Sequence, residues 1–221
     1  MKRNSRLSTI TSMVTQSYDR IWDCCCDHGQ IGIALLRSDA AATVHFVDIV
    51  PSLIDTLQTK LTEEFPLSGN DWKVHCADLN KLKLPVGDTK NLIIIAGVGG
   101  DLTITLVQNF LLNNSNHNLE FILCPVRHNF KVRQAMKELN LGLINESLVF
   151  EKGLFYEVMH ITSGADKTIK TTGSIMWDFS DSDHQRYLEQ NIEHYQRASR
   201  SNPQKYTDVL SAYQALKSLQ V

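Results

Sequence analysis

The chain has 221 residues, 43% of them apolar, and a formal net charge of −2. That is enough for one sizeable core, or for one domain of roughly 150 residues with an appendage. The charge excludes a polycation, so any nucleic-acid contact must come from a local basic patch. No apolar run approaches the roughly 18 residues of a membrane span.

The opening MKRNSRLSTITSMV carries basic residues but neither an apolar h-region nor a small-residue cleavage site, which points to a cytoplasmic protein. Arg20–Cys25 then reads as a buried strand, and Gly29–Arg37 as a helix with Ile31, Ala34 and Leu35 inward and Ile33 a further candidate for that face. Thr43–Asp48 is a second strand. Pro51–Phe65 is a helix that Pro51 can start, with Leu53, Ile54, Leu57 and Leu61 on one face. Trp72–Ala77 is a third strand, and Asn91–Ala96 (NLIIIA) the most hydrophobic one. A helix over Asp101–Leu112, a strand over Leu119–Cys124 and a helix over Asn129–Leu139 follow. Leu143–Glu151 and Leu154–Ile161 read as a final strand pair around Lys152-Gly153.

Strands alternating with helices indicate an α/β domain with a mostly parallel sheet. Continuous apolar strands suit a sheet covered on both faces. Five strand–helix units and a terminal antiparallel hairpin are the order of the Rossmann-like class I S-adenosylmethionine-dependent methyltransferases. The domain is expected over residues 1–162. Residues 163–221 form a polar linker and a helical hairpin, Ser182–Ser199 and 203–219, packed on the domain. Apolar residues repeat at three to four residues on each arm, and Asn202-Pro203 supplies an N-cap and first-turn proline.

Candidate chemistry gathers at strand ends, where doubly wound sheets bind ligands. The first strand exits through Asp23-Cys24-Cys25-Cys26-Asp27-His28-Gly29. Against the pattern acid-x-Gly-x-Gly-x-Gly of methyltransferase turns, Asp23 fits the acid and Gly29 the last glycine, while Cys25 and Asp27 occupy the other two places. Asp48 ends the second strand roughly 20 residues later, where a carboxylate accepts from both hydroxyls of a nucleoside ribose. It reads equally as a cap on the Pro51 helix. Asp78, after the third strand, suits an adenine amino group or a solvated turn. IAGVGGD, Ile95–Asp101, holds three glycines in four positions and allows close approach of a ligand or base.

Other readings fit less well. Five cysteines, three of them adjacent, make a poor disulfide framework and suit a reducing compartment. Strand alternation would point Cys24 and Cys26 one way and Cys25 the other, and no C-x-x-C pair offers a zinc or thioredoxin-like site. No metal is therefore expected, and the cysteines read most simply as small buried hydrophobes. A reactive Cys25 or Cys26 at a helix N-terminus stays open. A dehydrogenase would need G-x-G-x-x-G, which the turn lacks.

Taken together, the motifs resemble those of the bacterial tRNA (adenine-N1)-methyltransferases that modify position 22. That family carries D-I-G-S-D-H, I-A-G-M-G-G, Q-P-N and a late E-x-G-x-x-Y-E. Here these positions read DCCCDH, IAGVGG, CPV and EKGLFYE, in the same order along Arg6–Ile161. The resemblance implies S-adenosylmethionine as cofactor, held by Asp23, Cys25, Asp27, Gly29, Asp48 with Ile49, Asp78 with Leu79, and Ala96 with Gly97. It implies tRNA as partner, bound at Gly99, Gly100, Pro125, Arg127, Arg133 and Tyr156. Asp27 is the candidate carboxylate beside the adenine, with His28 orienting it; Asp27 also reads as a helix N-cap. The chain departs from the family at Cys25 for glycine, Val126 for asparagine and Asp48 for glutamate. A binding module that keeps the fold without turnover is thus a second reading. Basic residues Lys2, Arg3 and Arg6, then Arg127, His128, Lys131, Arg133 and Lys137, then Arg186, Arg197, Arg200 and Lys205 are the candidate RNA contacts. A monomer and a homodimer both fit.

Overall fold

The structure, a computed structural model, describes residues 5–66 and 71–218. Lys2 and Arg3 lie outside the described residues, as does the end of the helix expected over 203–219. In chain order the sheet strands are β1 (Tyr18–Cys24), β2 (Ala41–Asp48), β3 (Asp71–Cys76), β4 (Asn91–Ala96), β5 (Leu119–Cys124), β6 (Gly142–Glu151), β7 (Leu154–Thr162) and β8 (Lys167–Thr168). The helices are α1 (Arg6–Ser12), α2 (Gln30–Leu36), α3 (Pro51–Glu64), α4 (Gly100–Asn113), α5 (Asn129–Glu138), α6 (Ser182–Ser201) and α7 (Pro203–Ser218). A short 3-10 turn spans Leu79–Lys81.

The sheet order is β3-β2-β1-β4-β5-β7-β6-β8. The first five strands are parallel and β7 enters antiparallel between β5 and β6. Strand order therefore reverses between β1 and β4, which opens a crevice at their carboxyl ends.

Both faces of the sheet are covered, and successive strand residues serve opposite layers. Trp22, Ile93, Ile95, Phe121 and Leu123 pack with Leu106, Val107 and Phe110 of α4 and Val132 and Met136 of α5. Ile21, Phe46, Leu92, Ile94 and Ile122 pack with Ile10 of α1, Leu35 and Leu36 of α2, and Leu57 and Leu61 of α3. This two-sided burial is the reason NLIIIA is apolar at every position but the first. On α2 the buried face runs through Gly32, Ile33, Leu35 and Leu36, whereas Ile31 and Ala34 are only half-buried. The helix starts one residue later than expected, and its close approach to β2 turns the face.

The polar segment after β7 is not a free linker. β8 extends the sheet edge along β6, and Ile169 is fully buried. The helical hairpin packs back on the domain through Tyr187, Leu188 and Tyr213, all buried. Among the described residues no helix is long and apolar enough to cross a membrane.

Candidate active site

A cavity of about 790 Å³ lies at the carboxyl ends of β1, β2 and β4. Its wall is built from the first exit turn (Asp23, Cys25, Cys26, Asp27, His28), from Asp48, and from Ala96-Gly97-Val98. Of the residues expected at the site, Asp23, Cys25, Asp27, His28, Asp48, Ala96 and Gly97 stand together on this wall. The remaining wall comes from Arg6 and Ile10 of α1, Gln30 and Ile31 of α2, Val50 and Leu53, and the hairpin tip Glu151-Lys152.

The exit turn explains the glycine pattern. Cys25, Asp27 and Gly29 have φ of 54°, 50° and 66°. These are the three positions where acid-x-Gly-x-Gly-x-Gly places its glycines. A left-handed backbone is costly for a side chain with Cβ, though aspartate tolerates it better than most. The chain keeps the path of a glycine turn while carrying two side chains into the cavity. Outside contacts hold it there: Cys26 N donates to Val47 O at 3.2 Å, Gly29 N to Cys26 O at 2.7 Å, and Asp27 N to Asp48 Oδ2 at 3.1 Å. The other Asp48 oxygen accepts from Val50 N at 3.1 Å, a turn bond just ahead of α3; no side chain caps that helix, so the cap reading of Asp48 fails and its carboxylate stands at the cavity.

The positive φ at Cys25 also corrects the expected cysteine orientation. The strand ends at Cys24, so alternation stops there. Cys24 packs in the layer of α4 and α5, whereas Cys26 packs in the opposite layer. Neither thiol at the cavity is activated. Burial, with Asp48 and Asp23 nearby, pushes Cys25 up to about 11, and burial likewise pushes Cys26 well up. This runs opposite to the shift a reactive cysteine requires. No group of three metal-ligating side chains is found among the described residues.

The cavity is acidic. Asp23 is buried, accepts from Gly32 N at 2.8 Å, and is pushed up to about 7, first by burial and further by Asp48. Asp27 is exposed, with His28 Nε2 at 3.5 Å from its Oδ1. Asp48 and Glu151 add two more carboxylates against the cations Arg6 and Lys152. Such a wall favours a ligand bearing positive charge.

The second glycine loop divides into two roles. Gly97 has φ 83°, and a Cβ added there would meet nothing within 4 Å, so its surface lies open to the cavity. A Cβ on Gly100 would stand 2.5 Å from Arg127 O. Gly100 is buried where α4 meets the loop before α5, and it packs rather than binds. Gly99 lies under the Arg127 guanidinium, whose Nε would be 3.4 Å from a Cβ there.

Several expected site residues stand elsewhere. Arg133 is fully buried, with Nε donating to Glu157 Oε2 and Nη1 to Glu146 Oε2 at 2.6 Å, so it is a core ion triad and not an RNA contact. The same pairing accounts for the last glutamate of EKGLFYE. Leu79 is buried in the core, and Asp78 caps its own turn by accepting from Asn80 N at 3.0 Å. Neither lines the cavity. Ile49 points to solvent, Pro125 is buried, and Gly29 starts α2 behind the wall. Tyr156 is half-buried beneath Arg6, whose guanidinium carbon lies 4.8 Å from the ring centroid. Arg6 was readable only as a basic residue; its place on the wall follows from α1 packing near β6, where Arg6 N donates to Glu151 Oε1 at 3.3 Å.

Three solved structures share this architecture over nearly the whole chain. The B. subtilis M1A22 tRNA methyltransferase TrmK is 18% identical, covers 97% of this chain and 98% of its own, and gives a TM-score of 0.76. M. capricolum TrmK with S-adenosyl-homocysteine is 17% identical, with 98% of each chain covered and a TM-score of 0.72. The Streptococcus pneumoniae protein Sp1610, in complex with S-adenosyl-L-methionine, is 17% identical, covers 96% and 98%, and scores 0.73. No curated protein matches the sequence. The family profile described as a methyltransferase domain matches residues 3–159, which span all the walls of the cavity. By that match the chain belongs to the methyltransferase-domain family.

Proposed function

We propose that this protein transfers a methyl group from S-adenosylmethionine to N1 of an adenine in tRNA. The observation that carries the reading is the acidic cavity at the β1/β4 switch point, walled by a glycine-type turn and an open Gly97. Its volume lies in the usual range of small-molecule sites, about 300–1,000 Å³. The fold-level likeness to tRNA m1A22 methyltransferases, two of them holding the cofactor or its product, supports the same substrate class.

The residues present fit this cofactor. Bound S-adenosylmethionine supplies a methyl group on a cationic sulfonium, ready for displacement. Asp48, at the end of β2, has carboxylate lone pairs left over from its two backbone bonds for ribose hydroxyls. Asp23 sits deeper and presents a carboxyl group to the positive end of the ligand. Gly97 lets the ligand lie against the backbone. Attack by adenine N1 makes the base cationic, and a carboxylate beside it stabilises that charge and takes a proton from the exocyclic amine. Asp27 is the exposed carboxylate on the wall, and His28 orients it. Alignment and exclusion of water supply the rest of the rate.

The test has two stages. Calorimetric titration with S-adenosylmethionine is expected to show binding. Incubation with cofactor and unmodified tRNA, followed by nucleoside mass analysis, is expected to yield N1-methyladenosine. Binding without any methylated nucleoside favours the binding-module reading, in which the Cys25 and Val126 departures remove turnover. Absence of binding overturns both.

A further inference from the structure

The helical hairpin reaches the start of α5 through one buried hydroxyl. Asn129, the first residue of α5, donates from Nδ2 to Tyr187 Oη at 3.1 Å. Tyr187, on α6, donates to Glu157 Oε1 at 2.6 Å. The other Glu157 oxygen accepts from the buried Arg133. Beside this chain the Phe130 ring lies 6.1 Å from that of Tyr213 on α7.

Immediately before Asn129 runs the loop 125–128, which is tied to the cavity wall at Val98. Val126 N donates to the carbonyl of Val98, a cavity residue, at 2.9 Å. Arg127 covers Gly99. His128 has φ 62°, a conformation that persists for such a residue only when its surroundings hold it. Its Nδ1 lies 3.0 Å from Asp101 Oδ2, and its carbonyl accepts from Val132 N at 3.0 Å. The next residue, Asn129, is held in turn by Tyr187.

We propose that Tyr187 is a positioning residue for RNA: by bridging Asn129 and Glu157 it sets the loop 125–128, and with it Arg127, from outside the cavity. This rests on the tRNA reading above. Tyr187→Phe removes the hydroxyl and keeps the ring packed on Phe155 and Trp177.

The experiment measures tRNA affinity by fluorescence anisotropy, KM and kcat for methyl transfer, and S-adenosylmethionine affinity by calorimetry. Tyr187→Phe is expected to weaken tRNA binding and raise KM for tRNA roughly three- to tenfold, the range of one lost hydrogen bond. Cofactor affinity and kcat at saturating RNA stay at wild-type values. In an Arg127→Ala background the same change adds no further loss, because both act through one contact. Unchanged tRNA affinity, a loss that multiplies with that of Arg127→Ala, or a parallel fall in cofactor affinity and kcat each overturns the proposal. Failure of the wild-type protein to bind tRNA overturns it together with the tRNA reading; a wild-type protein that binds tRNA beside an unaffected Tyr187→Phe overturns the relay alone.

Discussion

Asp48 accepts the backbone amide of Asp27 at 3.1 Å, which ties the end of β2 to the middle of the turn after β1. The bond joins residues 21 apart in sequence. It holds Asp27 in a left-handed conformation with its side chain exposed beside His28, so the carboxylate stands at the cavity while the backbone stays fixed. The proposed role of Asp27 and local strain thus meet at one position, where surrounding contacts over-determine the backbone.

Asp27→Asn keeps the left-handed backbone, which asparagine tolerates, and removes the negative charge. Methyl transfer is expected to fall by roughly 100-fold or more, the scale of a positioned acid–base group. The thermal midpoint is expected to be unchanged, because the side chain is 67% exposed. Near-normal turnover would remove Asp27 from the chemistry.

Asp23 makes stability depend on pH. Its carboxyl is raised from 3.8 to about 7, chiefly by burial. The folded state therefore holds a proton that the unfolded chain releases, and this contribution is full below about pH 4 and lost as pH rises through about 7. Buried His45, lowered to about 3 by burial and by His75, works in the opposite sense: its contribution is lost as pH falls from 6.5 toward 3. Asp23→Asn keeps an oxygen for Gly32 N and abolishes the titration. Relative to wild type, its thermal midpoint is expected to climb steadily from acid to neutral pH. Parallel melting curves across that range would show that Asp23 is ionised throughout.

Arg133 holds two buried carboxylates. Replacing it by methionine fills most of the space but leaves Glu146 and Glu157 without their cation. The expected loss is about 3–5 kcal/mol in urea denaturation, the cost of stranding buried charge. A loss below about 1 kcal/mol is the value of an exposed pair, and would show that water reaches the triad.

Cys25→Gly restores the glycine that the turn geometry favours. Relief of the left-handed strain, about 1–2 kcal/mol, is offset in part by the added freedom of the unfolded chain, about 0.5–1 kcal/mol. Stability is expected to change little. Titration with S-adenosylmethionine is expected to show tighter binding, since the thiol no longer crowds the wall. Weaker binding would instead identify the Cys25 side chain as a cofactor contact.

The strands and most helices were legible because their signals are local. A two-sided sheet demands unbroken apolar runs, and these place β4 and β5 at the boundaries read from sequence. The cavity carboxylates Asp23, Asp27 and Asp48 were legible for the same reason: each sits at or just after the end of a strand in a doubly wound order. Helix α1 was missed, because RLSTITS buries only Thr9 and Ile10 and has no apolar stripe. β8 was missed because two polar residues carry no alternation.

What sequence order alone determined, then, was the alternation of strands and helices from β1 to β7 and the acids near the strand ends, since backbone sterics and apolar periodicity act over a few residues. Tertiary structure decided which charges face the cavity. Arg6, Glu151 and Lys152 reach the cavity from the two ends of the domain, and Arg133 leaves the surface because Glu146 and Glu157 meet it in the core. Burying a cation depends on partners 13 and 24 residues away, and no local pattern encodes that pairing.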